Sequence, residues 1–215
     1  MDPALIQVFA VFGFIAAFFL YLGYKLISRK KTRLSITCSL FYIIMALGLV
    51  INIIQRAIDD HEVNLILNPL VFIVSMIGLS PLLLFNLMLS KSGEVITLQK
   101  EIIITVIWAL ILFGLLLIPD GVRFSYQINE AGDVAYGQAA YDSRYNNDLG
   151  TPKWSAAFSI YAIVATQIMF IGIIYTGMDL KKKMGRDSKF AKKYAYTIYG
   201  ILLFDVIPVG QSIVN

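Results

Sequence analysis

Lys181-Lys182-Lys183-Met184-Gly185-Arg186-Asp187-Ser188-Lys189-Phe190-Ala191-Lys192-Lys193 sets seven basic residues in thirteen positions, between two long apolar runs. Such a cluster in isolation would suit nucleic acid. Flanked by apolar segments it reads instead as a cytoplasmic loop of a membrane protein, because Lys and Arg concentrate in the loops that stay inside. No nucleic-acid partner is expected. The stretch therefore orients everything around it.

The composition agrees with that reading. The 215 residues are 58% hydrophobic and 15% charged, against about 25% charged in an ordinary soluble domain. Mean hydropathy is +0.74, which excludes a soluble globular domain. The net charge of +4 must then reside mostly in loops. Cys38 is the single cysteine and His61 the single histidine, so neither an internal disulfide nor a Cys/His metal cluster is expected. The carboxylates are dispersed, and no metal or cofactor is expected. Met1–Ala4 lacks a basic leader, so the first apolar run is expected to act as a signal anchor and not as a cleaved peptide.

A helix needs about 20 apolar residues to cross the hydrocarbon core. Six stretches meet that requirement: 4–27, 34–58, 64–90, 102–119, 154–178 and 194–214. Backbone hydrogen bonding in lipid restricts them to helices. The fold class expected is an all-α polytopic membrane bundle of six helices in the plasma membrane, forming one domain. With the N-terminus outside, Lys25, Arg29, Lys30, Lys31, Arg33, Lys91, Lys100 and the seven-residue cluster all fall inside. They make up 14 of the 18 basic residues. Arg56, Arg123, Arg144 and Lys153 fall outside. The inner cluster is also expected to hold anionic lipid head groups, at about 1 kcal/mol per basic residue near the surface.

The longest polar segment is the outer loop 120–153. Val122, Phe124, Tyr126 and Ile128 alternate with more polar residues, and Glu130-Ala131-Gly132-Asp133 offers turn chemistry before Val134 and Tyr136. This predicts a short β-hairpin over the mouth of the bundle, between helices 4 and 5. Tyr136, Tyr141, Tyr145 and Trp154 suit a recognition surface. They suit an interfacial aromatic belt as well.

Asp205 is the sharpest candidate for chemistry. It lies within the sixth stretch, where an unpaired carboxylate is costly and by default marks a functional position facing the bundle interior. A protonated or hydrogen-bonded acid locking two helices is the structural alternative. Pro208 removes a backbone donor just beyond it and is a candidate hinge. Asn52, Gln55 and Arg56 share one helix face. With Asn64, Asn68, Gln211 and Asp205 they outline an outward-opening pocket for a small polar ligand, or else a set of interhelical hydrogen bonds. Ser80-Pro81 and Thr166-Gln167 interrupt the third and fifth stretches, and Pro81 is the second candidate hinge. Polar groups of this kind often bridge neighbouring membrane helices.

Enzymatic readings have little to build on. No apolar stretch holds a lysine buried in its interior for a Schiff base, and paired haem histidines are absent. The sequence also lacks a phosphate-binding glycine loop, a Cys-x-x-Cys pair and a serine–histidine elbow.

The organisation resembles the N-terminal seven-transmembrane sensor region of prokaryotic histidine kinases. The likeness lies in the basic turn Ser28–Arg33, and in Pro81-x-x-x-Phe85 running into Ser90-Lys91-Ser92-Gly93. It continues in the long outer loop before the fifth stretch, and in Phe190-Ala191-Lys192-Lys193 leading into a stretch that ends near Pro208. The resemblance implies a bundle that senses a ligand or the state of the membrane and passes a helix movement to a cytoplasmic output. The sequence ends at Asn215 without a seventh span or an output domain. Within the resemblance it is therefore a fragment, or it signals through a protein partner or as a homo-oligomer. Two other readings stay open: a small transporter or channel using Asp205, and a noncatalytic subunit of a membrane complex.

Overall fold

A computed structural model describes residues 3–29, 31–58, 61–91, 95–119, 121–124, 127–128, 134–135 and 152–183. Six α-helices account for most of them: α1 (Pro3–Arg29), α2 (Arg33–Ala57), α3 (His61–Ile77), α4 (Leu79–Lys91), α5 (Leu98–Phe113) and α6 (Ala156–Lys183). The third apolar stretch is thus two helices, α3 and α4, interrupted at Gly78. Counted by length and hydropathy, five segments can cross a membrane: Phe9–Arg29, Arg33–Gln55, Ile66–Lys91, Leu98–Leu117 and Ala156–Lys183. The expected sixth stretch, 194–214, lies outside the described residues.

Helix ends follow local chemistry more closely than hydropathy. Pro3 opens α1, where its missing N–H costs nothing. Thr32 caps α2 by accepting from Ser35 N at 3.3 Å. Thr97 caps α5 by accepting from Lys100 N at 3.5 Å. That cap starts the helix four residues before the expected 102, with Glu101 in the first turn where a negative charge suits the helix dipole. Ser155 caps α6 through Phe158 N at 3.2 Å. At the other end α6 runs to Lys183, five residues past the expected 178. Lys181, Lys182 and Lys183 therefore belong to a helical last turn, where cations offset the dipole, and not to a loop.

The core lies between the third span, α5 and α6. Ile73, Met76, Leu79 and Leu82 pack with Trp108, Leu112 and Leu115, and with Phe158, Ala162, Ala165, Met169, Phe170 and Ile173. Half of the apolar window of the third span is buried, against 11% for that of α1. The third span is therefore central. α1 lies at the edge, packed chiefly on α2, with Phe14, Phe18, Tyr21 and Tyr24 exposed. An apolar surface of this extent fits lipid better than water.

Two short antiparallel pairings lie between α5 and α6. β1 (Val122–Phe124) pairs with β4 (Pro152–Trp154), and β2 (Gln127–Ile128) pairs with β3 (Val134–Ala135). The first pairing was not expected from alternation, because its strands lie at opposite ends of the loop. It brings the end of the fourth span against the start of the fifth, and Ser155 N donates to Gly121 O at 2.8 Å to extend the join. The second pairing falls on the positions assigned to a hairpin, whose turn lies outside the described residues.

Candidate functional site

The break in the third span has a local cause and a tertiary one. Pro81 has no N–H for the carbonyl four residues earlier, that of Ile77. The hydroxyl of Ser80 donates to this carbonyl at 2.9 Å. One residue earlier, Met76 O accepts from the buried Trp108 Nε1 at 2.9 Å. A donor from α5 thus serves a carbonyl beside the interruption. Gly78 itself lies against α2: a methyl there would meet Met45 Sδ at 3.2 Å and Ser75 O at 3.1 Å. Pro81, the expected hinge, lies in the first turn of α4, and the carbonyl it leaves without a donor is beside the interruption.

Each half of this broken span is fastened to α6 or to the residues that open it. On the α3 half, Asn68 Oδ1 accepts from Trp154 Nε1 at 2.9 Å. The Trp154 ring meets Phe72 edge-on at 5.3 Å and Phe158 at 5.0 Å between centroids. Trp154 closes β4 and directly precedes the Ser155 cap, so the contact reports the position of the start of α6. Buried indole N–H groups require a partner, and Asn68 supplies it.

On the α4 half, Ser90 Oγ donates to Asp179 Oδ2. Lys183 Nζ donates to Ser90 O at 2.6 Å and lies 3.0 Å from Asp179 Oδ2. Ser90 is buried near the end of α4, so the Lys183 ammonium covers a carbonyl that the helix itself leaves free. Asp179 and Lys183 stand four residues apart on one face of α6 and close on a single serine.

A second charged tie lies at the same level as the starts of α2 and α5. Arg33 Nη2 lies 2.6 Å from Glu101 Oε1, and it also donates to the carbonyl of Ile96. The Glu101 side chain is only 12% exposed, so removing one partner of this pair is costly.

The residues expected to line an outer pocket have separate fates. Asn68 is engaged by Trp154. Asn64 Nδ2 donates to Ile58 O at 2.7 Å and closes the turn between α2 and α3. Gln55 is buried on α2. Asn52 Oδ1 is buried with no hydrogen-bond partner among the described residues. For Arg56 only its place within α2 is described. Asp205, Pro208, Gln211, Arg186, Lys189, Lys192 and Lys193 lie outside the described residues, as do Tyr136, Tyr141 and Tyr145. Thr166 donates back to Ala162 O at 2.7 Å within α6.

Sequence reading did not find the Ser90–Asp179–Lys183 tie or the Trp108 bond. Ser90 and Asp179 are 89 positions apart, and no spacing rule links them. The one legible signal was Asp179 four residues before Lys183. Among the described residues no three His, Cys, Asp or Glu side chains gather as metal ligands.

The class defined here is a helical bundle with, among the described residues, five segments long and apolar enough to cross a membrane, organised around a broken central span. Comparison with family models, with curated proteins and with solved structures finds no match.

Proposed function

We propose that the chain is an integral membrane sensor of the plasma membrane. It detects an extracytoplasmic or membrane-embedded signal and passes it by helix movement to a cytoplasmic output. This proposal keeps the six-span, N-out arrangement, the hairpin over the outer mouth and the likeness to seven-transmembrane sensor regions. Sensing of this kind needs two arrangements of the bundle and a signal that favours one, since only a differential interaction shifts their populations.

The observation that carries the reading is the interruption at Gly78 between an outer tie, Asn68–Trp154, and an inner tie, Ser90–Asp179–Lys183. A rigid helix fixed at both ends has little freedom to respond. A span interrupted between its ties can pivot. α4 has 13 residues, about 20 Å at 1.5 Å per residue, so a pivot of about 10° moves its inner end by about 3.5 Å.

Perturbing the outer tie tests this without a known ligand. Spin labels are placed at Leu89→Cys and Lys182→Cys in a Cys38→Ser background, in lipid nanodiscs. Trp154→Phe deletes the indole donor and keeps an aromatic ring. A change of about 3 Å in the inner label separation is expected. An unchanged separation, with the variant folded and the outer tie absent, removes the basis for the sensor reading.

A further inference from the structure

The inner tie differs from the other contacts of α6 in its chemistry. α4 and α6 pack closely, and helix contacts in lipid have no hydrophobic force holding them together. Here Asp179 and Lys183 converge on both polar atoms of one residue, Ser90: the carboxylate on its hydroxyl, the ammonium on its carbonyl and, at 3.4 Å, on its hydroxyl. Three groups close a ring of contacts in which each depends on the other two. Ser90 is 8% exposed, whereas the Lys183 and Asp179 side chains are 49% and 36% exposed. The half belonging to α4 is thus sheltered and the half belonging to α6 is accessible to water. Lys183 is also the last described residue of α6, and the basic segment through Lys193 follows it directly in sequence.

We infer that Ser90, Asp179 and Lys183 form a latch that holds the inner arm of the broken span against α6 in the resting arrangement, and that opening it is the movement passed to the basic segment that follows. The inference rests on the sensor reading for its purpose, but the latch is a physical statement about this site alone. Opening exchanges each of the two exposed charges into water with little penalty, while Ser90 is left with its hydroxyl and carbonyl unserved. The polar part of the exchange is therefore a few contacts at Ser90, and removing one of them is enough to test the latch.

The full chain in nanodiscs of phosphatidylcholine and phosphatidylglycerol, labelled at Leu89→Cys and Lys182→Cys as above, provides the test. Asp179→Ala and Lys183→Gln are each expected to widen the label separation by about 3 Å, read as loss of dipolar broadening. Lys181→Gln, on the same helix turn but outside the ring of contacts, is expected to leave it unchanged. Helical content and elution volume establish that each variant is folded, and Lys183→Gln alters only a half-exposed side chain if Asp179→Ala fails that check. Unchanged separation in a folded Lys183→Gln overturns the latch. Equal widening in Lys181→Gln also overturns it, since the effect is then one of general charge. If the latch variants widen and Trp154→Phe does nothing, the latch stands and the sensor reading falls. The opposite pair of results leaves the sensor reading and removes the latch.

Discussion

Gly48 and Ser75 set how closely α2 approaches the central span, and they allow a quantitative test of the packing. A methyl built at Gly48 falls within van der Waals reach of Ser75 Oγ, 3.3 Å from Ser75 Cβ and 3.4 Å from Ser75 Cα. The hydroxyl can rotate away, but the Cβ and Cα are part of α3 and cannot. Gly48→Ala therefore forces the two helices apart by a few tenths of an ångström where they meet. Overpacking of this size costs about 1–2 kcal/mol. Small residues at helix interfaces are what allow backbones in lipid to approach, so the loss is not recovered by hydrophobic burial elsewhere. Ser75→Gly removes both the Cβ and the hydroxyl, so that the new methyl faces only main-chain atoms at an ordinary van der Waals distance. The double variant Gly48→Ala/Ser75→Gly is then expected to regain about 1 kcal/mol relative to the sum of the single changes, as touching neighbours do. Equilibrium unfolding in mixed micelles, or steric trapping in bilayers, measures all four corners of the cycle. A neutral Gly48→Ala, or strictly additive singles, refutes the close approach of α2 and α3 at this level.

Three further outcomes follow from the ties. Ser80→Ala leaves Ile77 O without the hydroxyl that serves it, and is expected to lower stability by about 0.6–2 kcal/mol, with Ser80→Thr restoring most of the loss in the same unfolding assay. Glu101→Gln removes the negative charge 2.6 Å from Arg33 Nη2 at a side chain only 12% exposed, and a loss of about 1–3 kcal/mol is expected; equal stability would show that this contact contributes nothing to the fold. For orientation, Lys31→Cys in a Cys38→Ser background is expected to react with a membrane-impermeant maleimide only after permeabilisation, whereas Pro119→Cys reacts in intact cells. The reverse pattern rejects the N-out topology.

Much of the fold was legible because apolar runs in this chain are long, and lipid leaves such runs few choices besides helix. What sequence missed was set by partners distant in the chain. The interruption near Ser80-Pro81 was legible from the missing proline donor, but the lodging of Met45 against Gly78 and the service of Met76 O by Trp108 leave no mark there. Helix ends shifted for a simpler reason. Hydropathy stops at charges, whereas Thr97 starts α5 ahead of Lys100 and Glu101, and the dipole welcomes Lys181–Lys183 at the close of α6. Asn68 and Trp154 were both singled out from sequence, but as members of different groups, a polar pocket and an aromatic surface. Their hydrogen bond joins them across 86 positions, a relation that only folding creates.

The sequence contains two tryptophans, and both report on the central span: Trp154 through Asn68 on its α3 half, Trp108 through Met76 O beside its interruption. The protein therefore carries its own optical probe. A displacement of α3 that lengthens either contact changes the hydrogen bond of an indole, and with it the emission of the unmodified chain. Trp154→Phe and Trp108→Phe separate the two signals by site. Candidate signals, from lipid composition to small polar solutes, can thus be screened by intrinsic fluorescence before any label is attached or any downstream partner is in hand.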